Sequence, residues 1–404
     1  LWRSWPCREP LFWRARAAPR RQARRLGVRM PEFHAPAASD LFFTETAIAS
    51  VLGGAILGLS TVFKTGLTGE VLGVSGSSRA MLFKPGFDKA AFLLGVAGSG
   101  LVFANCYDGA FEPIPPPVTL PSDRRWKYML RLFFGGMLVG IGTSFGNGCT
   151  SGHGLTGLAR LSLRSWVGVP CFMGMGMVSA TVFRGAEDIP ADPLSERLAA
   201  DWQKALAWFG GLVALLLLSS VVLVALRRNF GLDNQKLAPG VELVTGFCFG
   251  SGMGISGMVR ASKVIGCLDL ASGKWDPSLM FVMAGALSFT FPFFQIQELK
   301  GYNTPLLGGK FGLVPKSMPL DKWLIFGTTT FGFGWGLCGM CPGPIWANVG
   351  AFHGKEVLLV VGGLFIGNAV WVAWKKLMTS SKVGESGGYA QVSSNGKDST
   401  KPLV

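Results

Sequence analysis

With 404 residues, of which 49% are hydrophobic and only 15% charged, the chain falls well below the roughly 25% of charged residues in an average soluble protein. This composition excludes an ordinary soluble domain and favours a lipid environment. The net charge of +15 does not indicate a nucleic-acid partner, because the basic residues lie in the N-terminal segment, between apolar runs and in the tail, where they fit an anionic lipid surface.

The first 29 residues are rich in arginine and nearly free of acidic residues. This composition is typical of a mitochondrial or plastid presequence, and translated upstream sequence before Met30 is the equal alternative. Apolar runs of about 20 residues then predict nine membrane-spanning helices. They cover roughly 45–63, 89–107, 128–146, 165–183, 206–226, 240–258, 277–296, 322–340 and 356–376.

Three connecting segments are too apolar and glycine-rich for ordinary loops, namely 65–78, 149–162 and 258–270. Since irregular backbone at membrane depth must be enclosed by protein or line an aqueous cavity, we expect short re-entrant helices there. The proline-dense stretch 113–121 predicts an aqueous loop, and the polar tail 377–404 is predicted to be disordered.

The chain contains an internal repeat with an offset of 192 residues. Cys149 falls on Cys341 without a gap, and several glycines match at the same offset. We predict two transmembrane repeats, 30–200 and 236–376, joined by a connecting span at 201–235. Because a single span connects the repeats, the second repeat enters the membrane from the opposite side. The predicted fold class is therefore an all-α polytopic membrane protein with inverted repeats. Transporters built in this way place the substrate near the middle of the membrane.

Lys and Arg are more frequent in the loops between spans 1–2, 3–4, 5–6 and 7–8 and after span 9 than in the opposite loops. The C-terminus is therefore predicted to be cytoplasmic.

The first candidate site is the segment GNGCTSGHG at 146–154, which ends one apolar run and precedes the next. Glycine allows backbone N–H groups to approach a ligand, and the start of a short helix favours an anion. Glycines alone are better explained by close helix packing, but polar groups at membrane depth favour function. The candidate substrate-binding residues here are Gly148, Cys149, Thr150, Ser151 and His153.

The second candidate site is Cys341-Pro342-Gly343-Pro344, where two prolines prevent a continuous helix. Cys341 and Gly343 complete the predicted binding set. Neutral, polarisable thiols suit a passing soft anion, because a fixed cation would hold it too firmly; inert buried cysteine is the alternative for each.

Other interpretations of these motifs receive less support. Cys338 and Cys341 form a C-x-x-C that could be a redox dithiol, and Cys149 with His153 could hold a metal, but nothing else in the sequence completes either site. We predict no metal and no cofactor. Arg160, Arg164, Arg260 and Lys263 could attract anions or simply anchor at an interface.

The segments GNGCTSGHGLTGLARLSLRSW (146–166), GSGMGISGMVRASKVIGCLDL (250–270), KWDPSLMFVMAGAL (274–287) and GWGLCGMCPGPIW (334–346) resemble the YeeE/YedE family of sulfur-transport membrane proteins. The resemblance implies uptake of thiosulfate or a related sulfur compound through inverted repeats with a central cysteine relay, in which Cys149 and Cys341 match the motif cysteines. The segment 53–78 lacks the further cysteine that bacterial members can carry, so we expect a path with two thiols.

These observations predict a multi-pass permease for thiosulfate or a similar sulfur oxyanion, in the plasma membrane or an organelle inner membrane, and not an enzyme. A cytoplasmic sulfur-carrier or sulfurtransferase is a candidate partner. The alternatives are a membrane-embedded thiol oxidoreductase that uses Cys338 and Cys341, and a non-selective anion channel.

Overall fold

A computed structural model describes residues 45–387 except positions 84, 108–109, 112–121, 184–201, 271–274, 317, 353 and 355. The predicted N-terminal segment, the proline-dense loop and the end of the polar tail lie outside the described residues. Those described form helices and the segments that connect them, the longest of which is 300–321 between two helices, and none of the described residues lies in a β-strand.

Twelve α-helices and one π-helix follow one another along the described chain. The long α-helices are α1 (Glu45–Thr68), α3 (Phe87–Cys106), α4 (Ser122–Phe145), α5 (Leu163–Phe183), α6 (Trp202–Phe230), α7 (Asn234–Ile255), α9 (Ser278–Leu299), α10 (Lys322–Cys338) and α12 (Glu356–Gly387). The short ones are α2 (Val74–Phe83), α8 (Ala261–Leu268), α11 (Pro342–Gly350) and the π-helix Thr150–Gly157.

Each of the nine predicted spans corresponds to one long helix. Eight of the helical segments are long and apolar enough to cross a membrane, which confirms an all-α polytopic membrane protein. The predicted span 240–258 corresponds to α7, which is not among those eight because polar residues and glycines lower its hydropathy. The last helix, α12, continues to Gly387 and so extends past the predicted start of the tail at 377.

Short helices occupy all three predicted re-entrant segments. A fourth, α11, follows Cys341 and was not predicted as a separate element. By the repeat offset it is the counterpart of the π-helix. The same offset relates α1 to α7, α2 to α8, α3 to α9, α4 to α10 and α5 to α12, and leaves α6 as the connector.

The helix contacts are the same in both halves. Helix α1 packs on α9 and α3 packs on α7, while α4 packs on α12 and α5 packs on α10. Counterpart helices also pack on each other, α1 on α7 and α4 on α10. Helices of one half therefore pack mainly on helices of the other half, in pairs that a pseudo-two-fold axis relates.

The axis lies across the helices, because counterpart helices run antiparallel. In α4 and α10, Gly135 lies against Cys338 whereas Gly146 lies against Gly327. In α1 and α7, Gly53 lies against Gly252, and Lys64 pairs with Glu242 further along. A two-fold axis parallel to the helices would make counterparts parallel, so this arrangement is an inverted repeat.

The matched glycines are the points of closest helix approach. A Cβ at Gly140 would lie 2.3 Å from the oxygen of Leu364, and one at Gly332 would lie 2.2 Å from that of Phe172. Positions 364 and 172 also differ by the repeat offset. Apolar side chains gain little by leaving lipid for protein, so such close backbone packing contributes much of the helix association.

We expect Gly54→Ala to destabilise the folded protein by about 1–3 kcal/mol or more, because the new Cβ would lie 2.1 Å from the oxygen of Val282 in α9. Thermal unfolding in detergent measures the change. Gly98→Ala is the matched control, since no atom lies within 4 Å of a Cβ built there. Equal stability of the two variants would contradict the packing described.

Candidate functional site

The two cysteine-bearing breaks have the same backbone geometry. Helix α4 ends before Asn147, which has a φ of 55°, and α10 ends before Gly339, which has a φ of 68°. These left-handed residues each precede the cysteine by two positions, and Asn and Gly are the residues that adopt this conformation most easily. Each chain then turns, and Cys149 and Cys341 become the N-cap residues of the π-helix and of α11.

The two breaks contact each other. The hydroxyl of Thr150 donates to the sulfur of Cys341 at 3.6 Å, which links the two repeats directly. The sulfur of Cys149 lies 3.2 Å from the hydroxyl oxygen of Ser151. Both cysteines are buried, so the sequence-predicted residues form one cluster between the repeats.

This cluster forms one side of a cavity of about 260 Å³. Five of the seven predicted binding residues line it, namely Cys149, Thr150, Ser151, Cys341 and Gly343. The rest of the wall is largely apolar, and among the residues described no charged side chain lines it. The cavity can therefore hold a small ligand in contact with thiols and hydroxyls.

The first turn of α11 offers few backbone donors. Pro342 and Pro344 lack an N–H group, so Gly343 carries the one N–H of these three positions. A Cβ on Gly343 would lie 2.7 Å from the sulfur of Met253, which also lines the cavity. Glycine at this position keeps that side of the cavity open.

His153 and Gly148 are not among the cavity-lining residues. His153 Nε2 lies 3.1 Å from the carbonyl oxygen of Gly146, and Nδ1 lies 3.1 Å from the hydroxyl oxygen of Ser165. Because a carbonyl only accepts, Nε2 carries the proton and Nδ1 accepts from Ser165. Both ring nitrogens are thus hydrogen-bonded. In this arrangement His153 stabilises the loop and has no free lone pair for a metal ion.

Gly148 allows this imidazole to pack. A Cβ at Gly148 would lie 2.8 Å from Cδ2 of His153. These two residues position the loop that carries Cys149 instead of facing the cavity.

Sequence reasoning missed a third thiol, Cys267, which is buried and lines the same cavity. The cavity wall therefore carries three thiols, one more than the two on which the expected path was based. The internal repeat contained a signal for Cys267. Val71 and Gly73 align with Val264 and Gly266 when the repeat offset is shifted by one residue. That register pairs Cys267 with Val74, which lines the cavity from the other half.

Cys338 lies outside the cavity wall. Its thiol donates to the carbonyl oxygen of Met340 at 3.4 Å, and its side chain packs against Gly135 of α4. The seven cysteines of the described chain are all free thiols.

The four candidate cations do not reach the cavity. Arg160 and Arg164 donate to the carbonyl oxygens of Val314 and Pro319, in the segment that leads to α10. Lys263 donates to Ser256, and Arg260 is buried beside Gly257. In this structure they hold loops and short helices in place.

Two family models match the chain. One, described as sulphur transport, matches residues 90–178. The other, described as a family of unknown function (DUF6691), matches residues 240–383. The two matches fall in different halves of the inverted repeat.

Curated relatives are named probable transporters. One from Xylella fastidiosa strain Temecula1 is 40% identical over 120 residues, which are 30% of this chain and 79% of that protein. A second from the same strain is 38% identical over 134 residues, which are 32% of this chain and 90% of that protein. Each relative is therefore less than half as long as this chain. No solved structure matches the chain significantly.

We expect Gly343→Ala to slow solute movement through the cavity, because the new methyl group displaces Met253 into it. The predicted loss is about tenfold, at a cost in stability of about 1 kcal/mol. Transport by purified protein in vesicles, with thermal unfolding in parallel, separates the two effects. Gly152→Ala in the π-helix is the control, since the space beside Gly152 is open; a similar loss there would contradict a specific role for Gly343.

Proposed function

We propose, since the chain belongs to the YeeE/YedE family of sulfur-transport membrane proteins, that it takes up thiosulfate or a related small sulfur-containing anion through the central cavity. The observation that carries this proposal is the sulfur content of the cavity wall. Three thiols and five thioethers line it, namely Cys149, Cys267, Cys341, Met173, Met253, Met258, Met280 and Met283. Sulfur is polarisable, so this wall suits a ligand that is itself soft.

Thiosulfate differs from sulfate in having a terminal sulfur in place of one oxygen. That sulfur spreads charge over a larger atom and is less strongly hydrated, so it can exchange water for thiol and thioether contacts at a smaller cost. The remaining oxygens need donors, and the hydroxyls of Thr150 and Ser151, which line the cavity, would supply them. The wall thus provides separate partners for the two ends of the anion.

Weak donors also permit release. A thiol donates and accepts only weakly, whereas a buried ammonium or guanidinium would form a charge-assisted bond with the anion. Cys149 and Cys341 belong to symmetry-related breaks that the Thr150 hydroxyl connects. We propose that the anion passes between them by transient S–H contacts, with Cys267 as a third contact in the same wall.

The oxidoreductase alternative requires Cys338 and Cys341 to act as a pair at a substrate site. Since the thiol of Cys338 is directed to the Met340 carbonyl and lies outside the cavity wall, this alternative has less support. A non-selective anion channel is the remaining alternative, and substrate selectivity distinguishes it from a permease.

We also propose an orientation from the distribution of Lys and Arg: the N-terminus faces outward and the C-terminus faces the cytoplasm. Uptake in this direction would deliver the sulfur compound to a cytoplasmic sulfur-carrier or sulfurtransferase.

We expect Cys149→Ala, Cys267→Ala and Cys341→Ala each to reduce thiosulfate uptake by about tenfold or more, because each removes a hydrogen bond to a charged ligand. Uptake is measured in cells that lack their own thiosulfate route, with the amount of each variant in the membrane determined in parallel. Cys338→Ala is the matched control and should transport normally. Loss of activity in Cys338→Ala together with Cys341→Ala, but not in Cys149→Ala or Cys267→Ala, would support the oxidoreductase.

We expect thiosulfate uptake to be inhibited much less by excess sulfate than by excess unlabelled thiosulfate, because sulfate cannot place a sulfur atom against the thioether wall. Competition with thiosulfate, sulfate and sulfite measures this selectivity. Equal inhibition by all three anions would indicate a channel without sulfur preference.

A further inference from the structure

The indole of Trp335, on α10, forms part of the cavity wall. The residue is only 3% exposed, and its Nε1 is buried without a hydrogen-bond partner. The N–H of a buried tryptophan usually has a partner, and a buried donor without one lowers the stability of the folded protein. An unpaired donor at this position therefore needs an explanation.

Packing explains the ring of Trp335. Its centroid lies 6.0 Å from the ring centroid of Phe331 and 6.0 Å from that of Phe172. The residue belongs to the same buried cluster as Cys149 and Cys341. A phenyl ring would make apolar contacts of this kind without burying a donor. Packing thus accounts for an aromatic ring here, but it does not account for the N–H group.

The repeat does not require an indole at this helix crossing either. By the repeat offset, Trp335 corresponds to Thr143 on α4, and α4 packs on α10. The Thr143 hydroxyl donates to the carbonyl oxygen of Val139 at 2.8 Å within its own helix. Thr143 does not line the cavity. The counterpart of Trp335 therefore has a satisfied donor, and the unpaired donor belongs to one half of the repeat.

The other polar side chains of the cavity wall already have partners. Among the described residues that line it, Thr150 and Ser151 are the others with a side-chain oxygen or nitrogen. Thr150 donates to the sulfur of Cys341, and the hydroxyl oxygen of Ser151 lies 3.2 Å from the sulfur of Cys149. A ligand that accepts from Thr150 must replace its contact with sulfur. A ligand that accepts from Trp335 replaces no existing hydrogen bond, so its net gain is larger.

The chemistry of the indole indicates which part of a ligand it binds. Its N–H group only donates and carries no charge. It therefore favours a strong acceptor, and in a sulfur anion the strong acceptors are the oxygens. Because the donor is neutral, the resulting bond is weaker than one from an ammonium or guanidinium group, and it permits release.

We propose that Trp335 is a substrate-binding residue whose indole N–H donates to an oxygen of the sulfur anion, an inference that rests on the function proposed above. The thiols of Cys149 and Cys341 contact the terminal sulfur, and Trp335 binds the oxygen-bearing end. Since Nε1 is buried in this structure, the ring tilts toward the cavity when the anion binds. The anion then supplies the partner that the N–H group lacks.

The test replaces Trp335 in the full chain with benzothienylalanine, in which sulfur takes the place of the N–H group while the two fused rings keep their shape. The KM for thiosulfate transport into proteoliposomes should rise about tenfold or more, because a hydrogen bond to a charged ligand is lost. Sulfate also presents oxygens, so the preference for thiosulfate over sulfate in competition should not change.

Thermal unfolding in detergent distinguishes this role from a structural one. Without thiosulfate, the analogue should unfold at the same temperature as wild type or higher, because the N–H group that it removes has no partner. With thiosulfate, the stabilisation of wild type should be largely lost in the analogue. An N–H group with a structural role would give a lower unfolding temperature and an unchanged response to thiosulfate.

Trp323, on the same helix, provides the matched control. Its ring packs on those of Phe145 and Trp374, with centroids 5.3 and 4.6 Å away, and it does not line the cavity. The same replacement at Trp323 should leave the KM and the response to thiosulfate unchanged. Trp335→Phe is the second variant and should show the rise in KM, although the smaller ring also lowers stability.

Fluorine NMR of protein labelled with fluorotryptophan observes the contact directly. The signal that is absent from Trp335→Phe identifies Trp335 among the 13 tryptophans. This signal should shift when thiosulfate is added, whereas that of Trp323 should not.

The outcomes separate the two proposals. Folded wild-type protein that neither transports nor is stabilised by any sulfur anion contradicts the proposed function. If wild-type protein transports thiosulfate, an unchanged KM in the Trp335 analogue or an unshifted Trp335 signal contradicts the role of Trp335 alone.

Discussion

Backbone polar groups at membrane depth must find partners inside the protein, and the helix breaks of this chain make that constraint severe. Side-chain amides meet part of it. Asn348 Nδ2 in α11 donates to the carbonyl oxygen of Val259 at 2.9 Å, between α7 and α8. Gln295 in α9 donates to the carbonyl oxygen of Ala159 at 2.8 Å, just after the π-helix. Side chains of neighbouring helices thus stabilise the breaks, and a cavity that contains thiols and hydroxyls becomes possible within an apolar bundle.

The inverted repeat gives a symmetric frame, but the chemistry placed on it is only partly symmetric. Cys149 and Cys341 are equivalent in sequence and in backbone geometry. Cys267, by contrast, has Val74 as its counterpart in the cavity wall, and the ion pair of Lys64 and Glu242 has serines at its counterpart positions. The two halves therefore share a backbone frame but present different side chains on the two sides of the axis.

The sequence predicted the helices and breaks because apolar length and proline position act locally. The repeat also predicted which helices are equivalent, although the glycine matches alone were weak evidence. The structure explains them, since Gly140 and Gly332 make equivalent backbone contacts. What could not be predicted depends on side-chain direction. His153 is directed toward Gly146 and Ser165, and the pairing of Lys64 with Glu242 joins two helices far apart in sequence.

The separation of thiols from charges fits the demands on an anion carrier. A permanent cation in the cavity wall would lower the energy of the bound anion at every stage and slow its release, while a wall without charge leaves a dianion poorly stabilised. The hydroxyls of Thr150 and Ser151 lie in this wall and would offset part of that cost. Under the proposed function, thiols and thioethers would select the anion by the polarisability of its terminal sulfur, and the weakness of their contacts would allow its release.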